Sequence, residues 1–221
     1  MKFLILVAGT NEPSNSEYLA DRFAEGLRAG GGTQIVKLRL NNLMIEHFTI
    51  ERYNDACPLE GDFCTVKDHM LSSRGVIIAT PIWNFSVPAH LKNLIDRMGS
   101  FALDTTRTKG QLKGLPFYCI FTGGAPSRAW VLMRETTSHI GKAIEYFGGI
   151  HAGTYFEPSC MKGRGVFGLV VHERPATLTA VRREGKKFAE AVRAGTVHHR
   201  GNFLLRFGMW TENLLERWRG T

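Results

Sequence analysis

An α/β fold built on a doubly wound, five-stranded parallel sheet is predicted by three features of this 221-residue chain. Short apolar runs recur at 2–8, 33–38, 75–80, 115–122 and 150–156, partly β-branched and bounded by glycine or proline, as in strands buried on both faces. Amphipathic helical patterns fall between them. Polar or aromatic loops bearing glycine or proline follow the first, third and fourth runs, where open α/β sheets carry their ligands.

The elements follow in order. Lys2–Ala8 runs straight into Gly9 and is too short for a secretory h-region with flanks, so it reads as a first strand and the chain as cytoplasmic and unprocessed. Ser16–Arg28 carries Tyr18, Leu19, Phe23 and Leu27 at helical spacing and stops at Gly30-Gly31-Gly32. Thr33–Leu38 is the second strand. The connection Asn41–Asp62, roughly twenty residues, exceeds what a crossover needs and marks function or disorder. Gly75–Thr80 is the third strand, and Pro88, in a first-turn position after Ser86, opens a helix through Met98. Leu115–Thr122 precedes a helix at Met133–Phe147 that sets Ile140, Ile144 and Phe147 on one face, with Gly148-Gly149 as its cap. Ile150–Phe156 is the fifth strand, and Ala176–Ala194 is a helix with Leu178, Val181, Phe188 and Val192 facing inward.

Right-handed crossovers leave few topologies for this pattern. The order 2-1-3-4-5 brings the loops after strands one and three to the switch point where a ligand binds. Residues 195–221 exceed the needs of this 1–194 domain. There Phe203, Phe207, Trp210, Leu214 and Trp218, at spacings of three and four, mark one apolar face of a basic, amphipathic C-terminal helical extension, read as a docking or dimer arm.

With 43% hydrophobic and 22% charged residues the composition is that of a soluble globular protein, and no apolar run approaches the ~20 residues of a membrane span. The net charge of +8 suits a nucleic-acid surface, an anionic membrane surface or the attraction of polyanionic small molecules such as dinucleotides. No nucleic-acid-binding signature accompanies it, so neither a nucleic-acid partner nor a membrane span is expected. Four scattered cysteines, Cys57, Cys64, Cys119 and Cys160, do not make a disulfide framework and suit a reducing compartment. His198-His199 lacks further ligands, and adjacent side chains point apart, so no metal site is expected.

The chemistry sits in the loops. Gly9–Ser16 has neither the Gly-Lys-Ser/Thr of a Walker loop nor G-x-G-x-x-G, which disfavours kinases and dehydrogenases of those folds. It offers Thr10, Ser14, Asn15 and Ser16 beside a helix N-terminus, a plausible phosphate cradle or a simple helix cap. Pro81, Ile82, Trp83, Asn84 and Phe85, stiffened by Pro81 and Pro88, offer an aromatic wall and backbone N–H groups to a planar ring, or else form a buried hydrophobic corner. Thr122, Gly123 and Gly124 follow the fourth strand, where glycines admit close backbone approach. One loop for phosphate and one for a ring suggest a mononucleotide cofactor.

Gly-Thr-x4-Asn-Ser after strand one and Pro-x-Trp-Asn-x-Ser-x-Pro-x2-Leu-Lys-x2-Ile-Asp-Arg after strand three resemble the NADPH-dependent FMN reductase family of the flavodoxin-like superfamily, over roughly residues 1–155. The resemblance implies a flavodoxin-like fold with FMN phosphate on Thr10, Ser14, Asn15 and Ser16. It sets the ring against Pro81, Ile82, Trp83, Asn84 and Phe85, with Thr122, Gly123 and Gly124 closing the other side. It also implies hydride transfer from NAD(P)H to FMN and on to a quinone, flavin or other oxidised acceptor, in a homodimer or homotetramer. The cofactor carries that chemistry, so no catalytic side chain is named. Arg97, Arg107, Lys109 and Arg128 are candidates for the nicotinamide dinucleotide's phosphates.

Two departures stand out. Asn11 and Glu12 occupy positions where such loops often carry a basic residue, and a carboxylate there weakens phosphate binding. The stretch from Cys64 to Met70 is similar to the end of an iron–sulfur segment, but two cysteines cannot complete a four-thiolate site. Two alternatives remain: a flavodoxin-like electron carrier without a nicotinamide site, and a flavin-free binding protein on the same fold.

Overall fold

In the computed structural model, which describes residues 1–54 and 61–197, five parallel strands form one sheet in the order β2-β1-β3-β4-β5. They are β1 (Lys2–Val7), β2 (Gln34–Arg39), β3 (Gly75–Pro81), β4 (Pro116–Thr122) and β5 (Ile150–Glu157). The helices are α1 (Asn15–Ala29), α2 (Ile50–Asn54), α3 (Gly61–Leu71), α4 (Ala89–Ala102), α5 (Trp130–Tyr146) and α6 (Pro175–Ala194). Each strand end lies within one residue of the sequence-based boundary, and the expected strand order is the observed one.

The continuous apolar runs have a direct cause. Successive side chains of a strand face opposite ways, so a strand covered on both sides needs apolar residues at every position. From β1, Leu4 and Leu6 enter a core shared with α3, α4 and α5, while Phe3, Ile5 and Val7 enter a second core with α1 and α6. In these cores Phe63, Phe117, Phe23 and Leu27 are fully buried. Burying each such side chain is worth about 1.5–3 kcal/mol.

Helices α1 and α6 pack backbone to backbone. A Cβ on Gly26 would lie 2.0 Å from the Arg182 carbonyl oxygen, and one on Gly185 would lie 2.3 Å from that of Phe23. This contact holds the last helix against the first and thereby fixes the segment that leads from β5 into α6.

The connection after β2 is partly ordered by α4. Asn93 accepts from the Phe48 N–H at 2.7 Å and donates to the Glu46 carbonyl at 3.1 Å. Helix α4 runs beyond the expected Met98 to Ala102, which is buried, and α5 begins at Trp130, three residues before the expected Met133, because a 3₁₀ turn at Ser127–Ala129 feeds it.

Cys64 is disulfide-bonded, whereas Cys119 and Cys160 are free and buried, so cysteine usage is mixed and carries no compartment assignment. Among the described residues no helix is long and apolar enough to cross a membrane, and no group of three or more His, Cys, Asp or Glu could hold a metal ion. Gly195 caps α6 in the left-handed conformation at φ 67°. The apolar face read from Phe203 to Trp218, and His198-His199, lie outside the described residues.

Candidate functional site

At the C-terminal ends of β1, β3 and β4, three loops and the segment after β5 enclose a cavity of about 290 Å³. Its size is at the lower end of small-molecule pockets, which run to ~300–1,000 Å³. No charged side chain lines it among the described residues.

The first loop forms the polar pole. Ser14 caps α1, its Oγ accepting from the Glu17 N–H at 3.4 Å and lying 3.0 Å from Ser16 Oγ. Both serines are buried, and both line the cavity with Gly9, Thr10, Asn11 and Asn15. The N–H groups of Asn15 and Ser16 stand in the first turn, where a helix supplies no acceptor of its own and its dipole favours an anion. Glycine is needed at position 9, because a Cβ there would lie 2.3 Å from Ser14 Oγ and 2.5 Å from Ser16 Oγ.

Two residues of this loop behave differently from the sequence-based expectation. The Asn15 carboxamide, expected at a phosphate, instead donates to the Gly168 carbonyl at 2.8 Å and accepts from the N–H groups of Val170 and Val171 at 2.9 and 3.2 Å. Asn15 therefore ties the loop after β5 to α1. Glu12 does not line the cavity; its carboxylate pairs with Arg39, which also approaches Glu17 at 3.4 Å. The feared repulsion of a phosphate is thus offset by a cation on β2.

The second loop supplies the apolar pole through Pro81, Ile82 and Trp83. Ile82 N–H donates to the Thr122 carbonyl at 2.8 Å, extending the sheet by one rung. Trp83 and Ser86 exchange both backbone hydrogen bonds at 2.8 Å, closing a two-residue turn in which Asn84 and Phe85 take φ 49° and 63°. Paired left-handed residues are the geometry of a tight hairpin turn. It sets Asn84 and Phe85 outside the cavity lining, with Phe85 70% exposed.

Thr122, Gly123 and Gly124 line the third side. Their loop is laced to the segment after β5: Gly123 N–H donates to Glu157, Cys160 N–H to Gly123 and Ser159 N–H to Ala125, at 3.0, 2.9 and 2.9 Å. That segment brings in Cys160, Met161 and Phe167, none of them anticipated from the sequence. The Phe167 ring lies 5.1 Å from that of Trp83, so the two aromatics meet beside the cavity. The signal available was an aromatic and a methionine within a glycine-rich, basic stretch at the C-terminal end of a strand.

A buried polar cluster fixes the start of this segment. Glu157, 5% exposed, accepts from Arg174 Nη1 at 2.6 Å, Thr177 Oγ1 at 3.1 Å and Tyr155 Oη at 3.0 Å. Arg174 also donates to the carbonyls of Pro158 at 2.8 Å and Ser159 at 2.7 Å. Burial, and then the neighbouring Glu157 charge, push the Tyr155 phenol up to about 12. Burial likewise pushes the Cys160 thiol up to about 12, so this cavity-lining cysteine is a neutral wall and not a nucleophile. His90 Nε2–H donates to the Ala8 carbonyl at 3.1 Å, just before the first loop, and burial holds its pKa below the ordinary value.

The four cations proposed for dinucleotide phosphates do not gather at the cavity. Arg97 is fully buried, with its guanidinium 4.1 Å over the Phe63 ring and Nη1 donating to the Glu46 carbonyl at 3.2 Å. Arg107 donates to the carbonyls of Gly99 and Tyr53 at 3.0 and 2.9 Å. Lys109 and Arg128 are exposed and outside the lining.

One pole of helix N–H groups and hydroxyls, facing one wall of aromatic and apolar groups, suits a phosphate joined to a flat ring. The model of the NADPH-dependent FMN reductase family matches residues 1–145. The FMN-dependent NADH:quinone oxidoreductase of Metamycoplasma arthritidis is 28% identical over 159 residues, 66% of this chain and 80% of that protein. Among solved structures, an NAD(P)H:quinone oxidoreductase from Methanothermobacter marburgensis superposes with a TM-score of 0.69 at 20% identity, covering 85% of this chain and 98% of that one. An FMN-dependent NADH-azoreductase from Bacillus anthracis, solved in complex with FMN, gives 0.60 at 16% identity over 86% and 98%. At these identities the two structures speak for the fold. The family match spans the sheet's first four strands and the loops that form both poles of the cavity, and the chain accordingly belongs to the NADPH-dependent FMN reductase family, as an NAD(P)H-dependent flavoprotein oxidoreductase that uses FMN.

Proposed function

We propose that the cavity is the FMN site and that the protein passes a hydride from NAD(P)H to FMN and the electrons on to a quinone or a similar oxidised acceptor. The observation that carries this reading is the polar pole, where Gly9 leaves room for two buried hydroxyls, Ser14 and Ser16, beside the first-turn N–H groups of Asn15 and Ser16. Those groups and Thr10 would hold the phosphate, which needs donors and a favourable dipole more than a formal cation. Pro81, Ile82 and Trp83 on one side and Thr122, Gly123 and Gly124 on the other would hold the ring, with Met161 and Phe167 excluding water. Asn84 and Phe85 would then contribute through the rigidity of their turn.

Bound FMN supplies the redox chemistry. The residues supply orientation and a dry, uncharged surround, and neither Cys160 nor Tyr155 is poised to exchange a proton near neutral pH.

The test is an absorption spectrum from about 300 to 600 nm of protein incubated with FMN and desalted, then mixed with NADPH without oxygen; flavins absorb and bleach there by the cofactor's own chemistry. Retained yellow colour that bleaches is the expected result. Retention without bleaching makes the protein an electron carrier lacking a nicotinamide site, and a colourless protein removes the FMN reading.

A further inference from the structure

The segment after β5 folds into a small hairpin. Lys162 N–H donates to the Val166 carbonyl at 3.0 Å and Val166 N–H to Gly163 at 3.1 Å, with Gly165 left-handed at φ 75°. Its two arms carry Met161 and Phe167 into the cavity lining, and its tip carries Lys162 and Arg164, both exposed.

Both feet are clamped. Arg174 grips the carbonyls of Pro158 and Ser159 on one side, and the Asn15 carboxamide grips residues 168–171 on the other. The hairpin is thus a fixed arm beside the aromatic pair Trp83 and Phe167. The Lys162 stem crosses the hairpin: a Cβ on Gly168 would lie 2.7 Å from Lys162 Cε, so glycine there leaves the lysine its path.

Neither Lys162 nor Arg164 takes part in an ion pair or side-chain hydrogen bond among the described residues. Arg39, Arg97, Arg107 and Arg174, by contrast, are held by carboxylates or carbonyls. Among the described residues no charged side chain lines the cavity, and a donor whose nicotinamide enters beside Trp83 must leave its phosphates at the mouth. Cations on a pre-set arm bind phosphates with little ordering cost.

Resting on the FMN reading, we propose that this hairpin is the dinucleotide-binding arm, with Lys162 and Arg164 gripping the phosphates of NAD(P)H. The experiment compares the FMN-loaded wild type with the double variant Lys162→Ala/Arg164→Ala. In a calorimetric titration with NADP⁺, the variant's dissociation constant rises roughly tenfold or more, and its affinity depends less on salt, as expected for two lost phosphate contacts. In turnover, the KM for NADPH rises in parallel, while N-benzyl-1,4-dihydronicotinamide, which has no phosphate, loses far less. An unchanged NADP⁺ affinity overturns the proposal, as does an equal loss with the phosphate-free donor, which would assign the effect to ring access. A wild type that retains no FMN removes the underlying reading, a result separate from either of these.

Discussion

Arg174 illustrates how a single side chain can brace a cavity that it does not line. Its guanidinium neutralises Glu157, which is buried beneath the cavity wall. Arg174→Met leaves that carboxylate without a cation, and losing a charged partner at a partly buried site costs about 1–3 kcal/mol; urea unfolding should register the loss, and adding Glu157→Gln should recover part of it. Gly9→Ala acts at the opposite pole. Its Cβ would displace the Ser14 and Ser16 hydroxyls, so FMN retention after desalting should fall by roughly tenfold or more while the circular dichroism of the fold persists. Iodoacetamide at pH about 8 should alkylate neither Cys119 nor Cys160 until the protein is unfolded, read by peptide mass, because burial pushes both thiols up to about 12. Thr10, Ser14, Ser16 and Trp83 were legible in the sequence because strand ends and helix starts announce them. Asn15 was legible as a polar residue in the right loop, but its tethering role was not, since its carbonyl partner Gly168 lies 153 residues away.

At the scale of elements, the contact between α1 and α6 depends on the absence of side chains. Gly185→Ala should cost about 1–3 kcal/mol in urea unfolding, the usual penalty of overpacking, because the new methyl meets the Phe23 carbonyl rather than a side chain that can turn aside. The strands were readable to within a residue because burial on both faces leaves uninterrupted apolar runs bounded by turn residues. The Met161–Phe167 hairpin was not. Its conformation comes from a few backbone bonds and from clamps at distant residues, and it has no periodicity to read. Phe85 shows the same limit: the proline-flanked loop was evident, but which aromatic faces inward was decided by the two left-handed residues of the turn.

For the whole molecule, two histidines link stability to pH. Burial lowers the pKa of both His90 and His151 from the ordinary 6.5, so the folded protein keeps them neutral where the unfolded chain begins to charge. Their contribution is complete above about pH 6.5 and falls as pH drops toward the depressed folded values, by up to ~1.4 kcal/mol per pH unit for each histidine. Urea midpoints should therefore decline as the pH falls below about 6.5, and His90→Gln, whose amide can still donate to Ala8, should remove about half of that slope. The strand order was predictable at this scale because right-handed crossovers leave few arrangements once the elements are known.

The ion pair beneath the cavity also sets an order in time. The polar pole of the cavity is formed by residues 9–16, far ahead in the chain of Glu157, which waits for a partner 17 residues further on, and that partner leads directly into the helix that must settle against α1. A nascent chain can begin its sheet early, but its last wall lacks the Arg174 clamp until that residue has emerged. If the cavity is the FMN site as proposed, a chain truncated before Arg174 should carry both loops of the motif and still retain less FMN after desalting than the full chain.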